Sequence, residues 1–175
     1  MNWFYRLGER RLDLTNRTLV MGILNRTPDS FYDGGETFAL DDLVRRGEQL
    51  SLAGADILDV GGVKAGPGEE VSEAEELDRV IPAVEALHAR LDIAISVDTW
   101  RASVLSAACE AGALVGNDIS GFADPEYLSV AARHKVSVVA THIRLAPRVP
   151  DPNPHYDDLV SDVLAQLLDR AERAE

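Results

Sequence analysis

At 175 residues, 46% of them hydrophobic, the chain holds enough apolar material for one domain with a packed core. A formal charge of −13 excludes nucleic acid and anionic membrane as natural partners. No apolar run approaches the ~20 residues that span a bilayer, and the N-terminal Met-Asn-Trp-Phe-Tyr-Arg lacks a charged-then-apolar signal pattern, so a cytoplasmic setting is expected. Cys109 is the single cysteine, which rules out a disulfide framework and a thiolate metal cluster. Its helical context, Ala107 to Ala111, marks it as a small packing residue.

The first strong element is the apolar run Leu19–Leu24, read as a fully buried strand that ends on the amide of Asn25. A loop with Pro28, Asp29, Phe31, Tyr32, Asp33 and the pair Gly34-Gly35 follows. A helix is predicted over Leu40–Ala53, with Gly54 placed as its C-terminal cap. The strand Asp56–Val60 runs into Gly61-Gly62, and Ser72 with Glu75 three residues on forms a capping box for a helix over Ser72–Leu91. Strand Ile93–Val97 ends in Asp98-Thr99 and leads to a helix over Arg101–Ala111, capped by Gly112. Strand Leu114–Asn117 passes into Asp118-Ile119-Ser120-Gly121, then a helix over Pro125–His134. Strand Ser137–Ala140 ends in Thr141-His142, and a helix is predicted over Tyr156–Ala174.

Strands apolar on both faces, alternating with helices, imply a parallel sheet in an α/β domain spanning residues 1–175. Five βα units suit an open doubly wound sheet by count, since a (β/α)8 barrel takes eight units and about 250 residues. The placement of polar groups argues otherwise. Asn25, Asp59, Asp98, Asn117 and His142 stand at the ends of five different strands, whereas a doubly wound sheet gathers its site at one switch point. We therefore expect about five units of the barrel architecture. Asp118 and Ser120 read as turn or cap residues, His88 and His134 as packing or surface residues, and His155 as a solvated loop residue.

A carboxylate beside a carboxamide suits the mixed donor–acceptor edge of an aminopyrimidinone ring, and other heterocycles would satisfy the same pair. A carboxamide oxygen such as that of Asn25 is also a hard ligand for Mg²⁺, with substrate phosphates completing the octahedron.

The run from Met21-Gly22-Ile23-Leu24-Asn25 through Thr27-Pro28-Asp29-Ser30-Phe31 resembles the opening signature of the dihydropteroate synthases. The resemblance continues through Asp59-Val60-Gly61-Gly62, Glu70-Val71-Ser72, Arg79-Val80-Ile81-Pro82, Ser96-Val97-Asp98-Thr99 and Asn117-Asp118-Ile119-Ser120-Gly121. That family joins hydroxymethyl-dihydropterin diphosphate to p-aminobenzoate and releases pyrophosphate, in folate biosynthesis. The resemblance implies Asn25 as the Mg²⁺ ligand, Asp98 and Asn117 as the pterin-reading pair and Ile119 as a pterin-packing residue. It implies Phe31 and Asp33 on a lid over the aminobenzoate, and Asp59 and Lys64 within the substrate-binding set. Asp98 and Asn25 are the catalytic candidates: the carboxylate to steady a cationic pterin, the amide to hold the metal at the leaving group. A barrel family that binds pterin for corrinoid-linked methyl transfer is the neighbouring option, and the Thr27–Phe31 run favours the synthases.

Four departures accompany the resemblance. Loop 2 reads Val63-Lys64-Ala65-Gly66 where the family carries Glu-Ser-Thr-Arg, a feature similar to a divergent second set of actinobacterial paralogues. Arg26 replaces a small aliphatic residue, and its charge is expected to compensate part of the lost cation. Thr141 stands where a methionine is usual. Only the N-terminal five of the family's eight units have counterparts, so self-association, as a homodimer or otherwise, is expected through the unpaired edge strands.

Overall fold

The computed structural model describes residues 4–8, 10–26 and 36–175. An antiparallel hairpin opens the chain, β1 (Phe4–Leu7) against β2 (Arg10–Asp13). The elements after it are β3 (Met21–Asn25), α1 (Glu36–Leu52), β4 (Ile57–Gly61), α2 (Glu73–Arg90), β5 (Ala94–Asp98) and α3 (Ala102–Glu110). They continue with β6 (Val115–Asp118), α4 (Tyr127–His134), β7 (Ser137–Ala140) and α5 (Leu159–Ala174). Strands β3 to β7 form one parallel sheet in sequence order. The order never reverses, so there is no switch point. A sheet wound in one direction keeps its helices on one face and its other face as a barrel interior.

Residues alternate between these faces. Leu24, Leu58, Val60, Ile95 and Val97 are buried in the main core with Leu43, Val44, Val80, Val84, Leu87, Val104 and Leu105 from the helices. Helices α1 to α4 pack pairwise in order, and α5 rests on β7. The inner face is layered. Ile23, Asp59, Ser96, Val115 and Ser137 share one level, and Asn25, Gly61, Asp98, Asn117 and Val139 share the next.

The hairpin has no counterpart among the predicted elements. Its strands are four residues long and arginine-rich, with Gly8 at φ +57° opening the turn. Its anchor is Leu7, fully buried in a small cluster with Ile57, Ala94 and Val115. The hairpin thus plugs the inner face near the strand N-termini. Arg10 pairs with Asp92, and the Ser137 hydroxyl donates to the Arg6 carbonyl at 2.9 Å.

The expected caps are present. Ser72 Oγ accepts from the Glu75 N–H at 3.2 Å, and Gly54 and Gly112 adopt φ +101° and +115° past their helices. Helix α3 lacks a side-chain cap of its own, and Asp124 of the following loop accepts from the Ala102 N–H at 2.9 Å instead. Asp158 caps α5, accepting from Val160 and Ser161. No helix among the described residues is long and apolar enough to cross a membrane.

Candidate active site at the strand C-termini

The parallel register sets Asn25 beside Gly61, Gly61 beside Asp98, and Asp98 beside Asn117, one row across four strands at their C-terminal ends. Adjacent strands stand about 4.8 Å apart, so the row is about 14 Å long, the reach of a fused bicyclic ring with a substituent. Gly61 keeps the middle open. A Cβ there would stand 3.2 Å from Asn25 Oδ1 and 3.4 Å from Asp98 Oδ2. Gly62 has a different reason to be glycine: its Cβ would meet Val80 Cγ2 at 2.8 Å.

Asp59 lies one level deeper and is buried. Its Oδ2 accepts from Asn117 Nδ2 at 3.0 Å, which leaves the Asn117 carbonyl oxygen for another partner. Asp59 Oδ1 and the buried Ser96 hydroxyl have no hydrogen bond of good geometry. Burial pushes the Asp59 carboxyl up, and the nearby Ser96 and Asn117 side chains offset part of the rise. Asp98 is pushed up to about 7, by burial first and then by the charges of Asp59, Glu76 and Asp118. Asp59 Oδ1, buried without a partner, and the Asp98 carboxyl above it form a surface that asks for N–H donors or a cation.

A ring of ion pairs and capping bonds supports the row. Glu76 falls on the apolar stripe of α2 with Val80, Ala83, Val84 and Leu87, and is fully buried. It pairs with Arg101 and accepts from the Thr99 hydroxyl at 2.6 Å, while Arg101 donates to the Val71 carbonyl at 2.8 Å. This network was not among the sequence expectations. Its signal was an acid at a buried helical position, masked by the more familiar capping acid Glu75. Asp118 behaves as the turn residue expected, accepting from the Ser120 and Phe122 N–H groups at 2.6 and 2.7 Å.

Arg26, from which a compensating charge is expected, reaches α2 with its guanidinium. Its Nη1 donates to the carbonyls of Asp78 and Arg79 in α2 at 3.2 and 2.7 Å. Lys64 is exposed on loop 2, whose carbonyls at Lys64 and Glu69 are held by Arg148. His142 sits between Gln166 and Tyr156, each 2.9 Å from a ring nitrogen, and so serves the α5 side rather than the row. His134 meets Ser106, His88 packs on Gly112, and the exposed His155 faces Asp157, as their sequence contexts indicate. Cys109 is partly buried with its thiol pushed up to about 11, chiefly by burial, in keeping with a packing role. Ile119 is half-buried just past β6. Phe31 and Asp33 lie outside the described residues.

No cluster of three or more His, Cys, Asp or Glu side chains gathers for a metal among the described residues. The gap over Gly61, walled by one carboxamide oxygen and one carboxylate, fits instead a Mg²⁺ that takes few protein ligands and arrives with substrate phosphates.

The family of pterin-binding enzymes matches residues 21–175. A dihydropteroate synthase of Synechocystis sp. is 46% identical over 159 residues, which make up 90% of this chain and 55% of that protein. A Mycobacterium leprae protein described as inactive dihydropteroate synthase 2 is 46% identical over 166 residues, covering 91% of this chain and 57% of its own length. The Xanthomonas albilineans dihydropteroate synthase solved with 4-aminobenzoic acid superposes with a TM-score of 0.87 at 40% identity, over 99% of this chain and 62% of that one. The chain thus spans a little over half the length of the curated relatives, and its wound sheet is the TIM-barrel type of those neighbours. A strand order without reversal, a polar row at the strand C-termini and a family match across 21–175 lead to one conclusion: the chain belongs to the pterin-binding enzyme family.

Proposed function

We propose that this chain carries the pterin and metal side of a dihydropteroate synthase site. The reaction condenses 6-hydroxymethyl-7,8-dihydropterin diphosphate with p-aminobenzoate. The observation that carries the reading is the row Asn25–Gly61–Asp98–Asn117, with its open gap and outward acceptors.

In this reading Asp98 accepts from the N–H edge of the pterin, and Asn117, its amide held by Asp59, offers a carbonyl oxygen to the same ring. Ile119 packs on the ring face, and Lys64, Phe31 and Asp33 belong to the loops that close over the substrates. Asn25 would hold Mg²⁺, which supplies charge neutralisation at the diphosphate when bound. The methylene C–O bond breaks with its electron pair leaving on the diphosphate, and the pterin delocalises the positive charge that remains. A buried carboxylate at Asp98 steadies that charge. The lone pair of the arylamine forms the new C–N bond, and its proton leaves to solvent. No nucleophilic side chain takes part. The setting proposed is cytoplasmic, with small-molecule substrates and self-association of the chain.

A second reading, a paralogue that binds pterin or a partner without turnover, is favoured by Ala65 and Gly66 on loop 2 and by the likeness to the M. leprae protein. Calorimetric titration of the pterin diphosphate, with and without Mg²⁺, tests both against an Asn25→Ala control. Metal-dependent binding that the control loses, with product formed from p-aminobenzoate, supports the first reading. Binding without product supports the second, and no binding refutes the first together with the pterin-binding form of the second.

A further inference from the structure

Pro82 lies inside α2 and has no amide hydrogen, so the carbonyl of Asp78, four residues earlier, loses its helical donor. Arg26 supplies one from another element, 3.2 Å from the Asp78 oxygen and 2.7 Å from that of Arg79. The backbone N–H of Arg26 meanwhile donates to the Gly61 carbonyl at 2.7 Å. From the opposite side Arg79 donates to the Gly62 carbonyl at 2.9 Å and pairs with Glu75. The ends of β3 and β4 are thereby tied to the middle of α2, next to Asn25. Charge-assisted bonds of this kind hold geometry better than neutral ones, and the shorter Arg26 bond, to the Arg79 carbonyl, is the part-buried one.

We propose that Arg26 is a positioning residue: by engaging the carbonyl that Pro82 leaves without a donor, it fixes the Asn25 side chain over the Gly61 gap. The inference rests on Asn25 being the residue that meets the metal–diphosphate. It gives the Arg26 guanidinium a part in holding the fold beside the site.

The test uses Arg26→Leu, Pro82→Ala and the double variant. In the Pro82→Ala background the new alanine offers its own N–H to the Asp78 carbonyl, so the loss of melting temperature caused by Arg26→Leu should shrink by at least half. In ¹H–¹⁵N spectra the side-chain amide pair of Asn25, identified by its disappearance in Asn25→Ala, should shift or broaden in Arg26→Leu. Calorimetry should show the Mg²⁺-dependent affinity for pterin diphosphate falling about tenfold, while metal-free 6-hydroxymethylpterin binds within twofold of wild type. A merely structural arginine would weaken both ligands together. Arg26→Lys, which keeps the charge without the forked donor, serves if the leucine variant does not fold. An unmoved Asn25 amide pair, equal losses for the two ligands, or no coupling to Pro82 would overturn the proposal. A wild-type chain with no metal-dependent binding would count against the function proposed above, and the amide spectrum and the Pro82 coupling would still decide the role of Arg26.

Discussion

Replacing Asp98 by asparagine should make the protein more stable at alkaline pH while removing its pterin binding. Asp98 ionises near 7 because it is buried among Asp59, Glu76 and Asp118. The folded chain therefore holds its proton more tightly than the unfolded chain does. A carboxyl raised in this way contributes stability that is complete below about pH 4 and lost as pH rises through 7. A rise from 3.8 to about 7 is about three units, worth at most about 4 kcal/mol at 1.36 kcal/mol per unit. Solvent at the open end of the row screens part of this, which brings the expected effect to about 2 kcal/mol. Asp98→Asn has no charge to bury. Its unfolding free energy should match wild type near pH 4 and exceed it by about 2 kcal/mol at pH 8, in urea melts read by tryptophan fluorescence. A variant less stable than wild type at pH 8, or a difference that stays flat from pH 4.5 to 8.5, would refute the argument. Loss of pterin binding in the stabilised variant would mark Asp98 as a group retained at the expense of the fold.

Other substitutions test separate parts of the structure. Gly61→Ala places a methyl 3.2 Å from Asn25 Oδ1 and 3.4 Å from Asp98 Oδ2, so calorimetry should show at least a tenfold loss of pterin-diphosphate affinity with little change in melting temperature. Leu7→Ala removes the anchor of the hairpin and should cost about 2–4 kcal/mol in urea unfolding; a loss under 1 kcal/mol would mean the hairpin does not close the inner face. Arg101→Leu leaves Glu76 buried without its cation, an expected cost of about 3–5 kcal/mol by the same assay, and a neutral result would contradict the burial of that pair. Asp124→Ala takes away the cap lent to α3 and should cost about 1 kcal/mol, with amide exchange at the start of α3 accelerated.

The five parallel strands, their helices and the caps at Ser72, Gly54 and Gly112 were legible in the chain, because each depends on neighbours within a few residues, but β3 is not the fully buried strand expected, since Ile23 on its inner face is 65% exposed. Also legible were Asn25, Asp98 and Asn117 as strand-end groups, since a polar residue closing an apolar run is a local pattern. The hairpin was not, because its strands are too short and too charged to announce themselves. Leu7 is buried only once β4, β5 and β6 have assembled a floor for it. Glu76 reads on paper as one acid among three at a helix start, and only the packing of α2 turns it inward to Arg101.

Arg26 shows the same division. The chain identifies it as a cation beside Asn25, which by composition suits an anionic ligand. The fold also brings it to the Asp78 carbonyl 52 residues away, which Pro82 leaves without a helical donor. Periodicity and capping are set over one turn or one strand, so the sequence alone determined the elements and the types of group at their ends. Which of those groups meet depends on register, on helix packing and on which backbone groups lack partners. Those quantities exist only in the assembled sheet, and there the tertiary structure decided that Asn25, Asp98 and Asn117 share one row, while Arg26 reaches the carbonyls of α2 and Glu76 turns inward to Arg101.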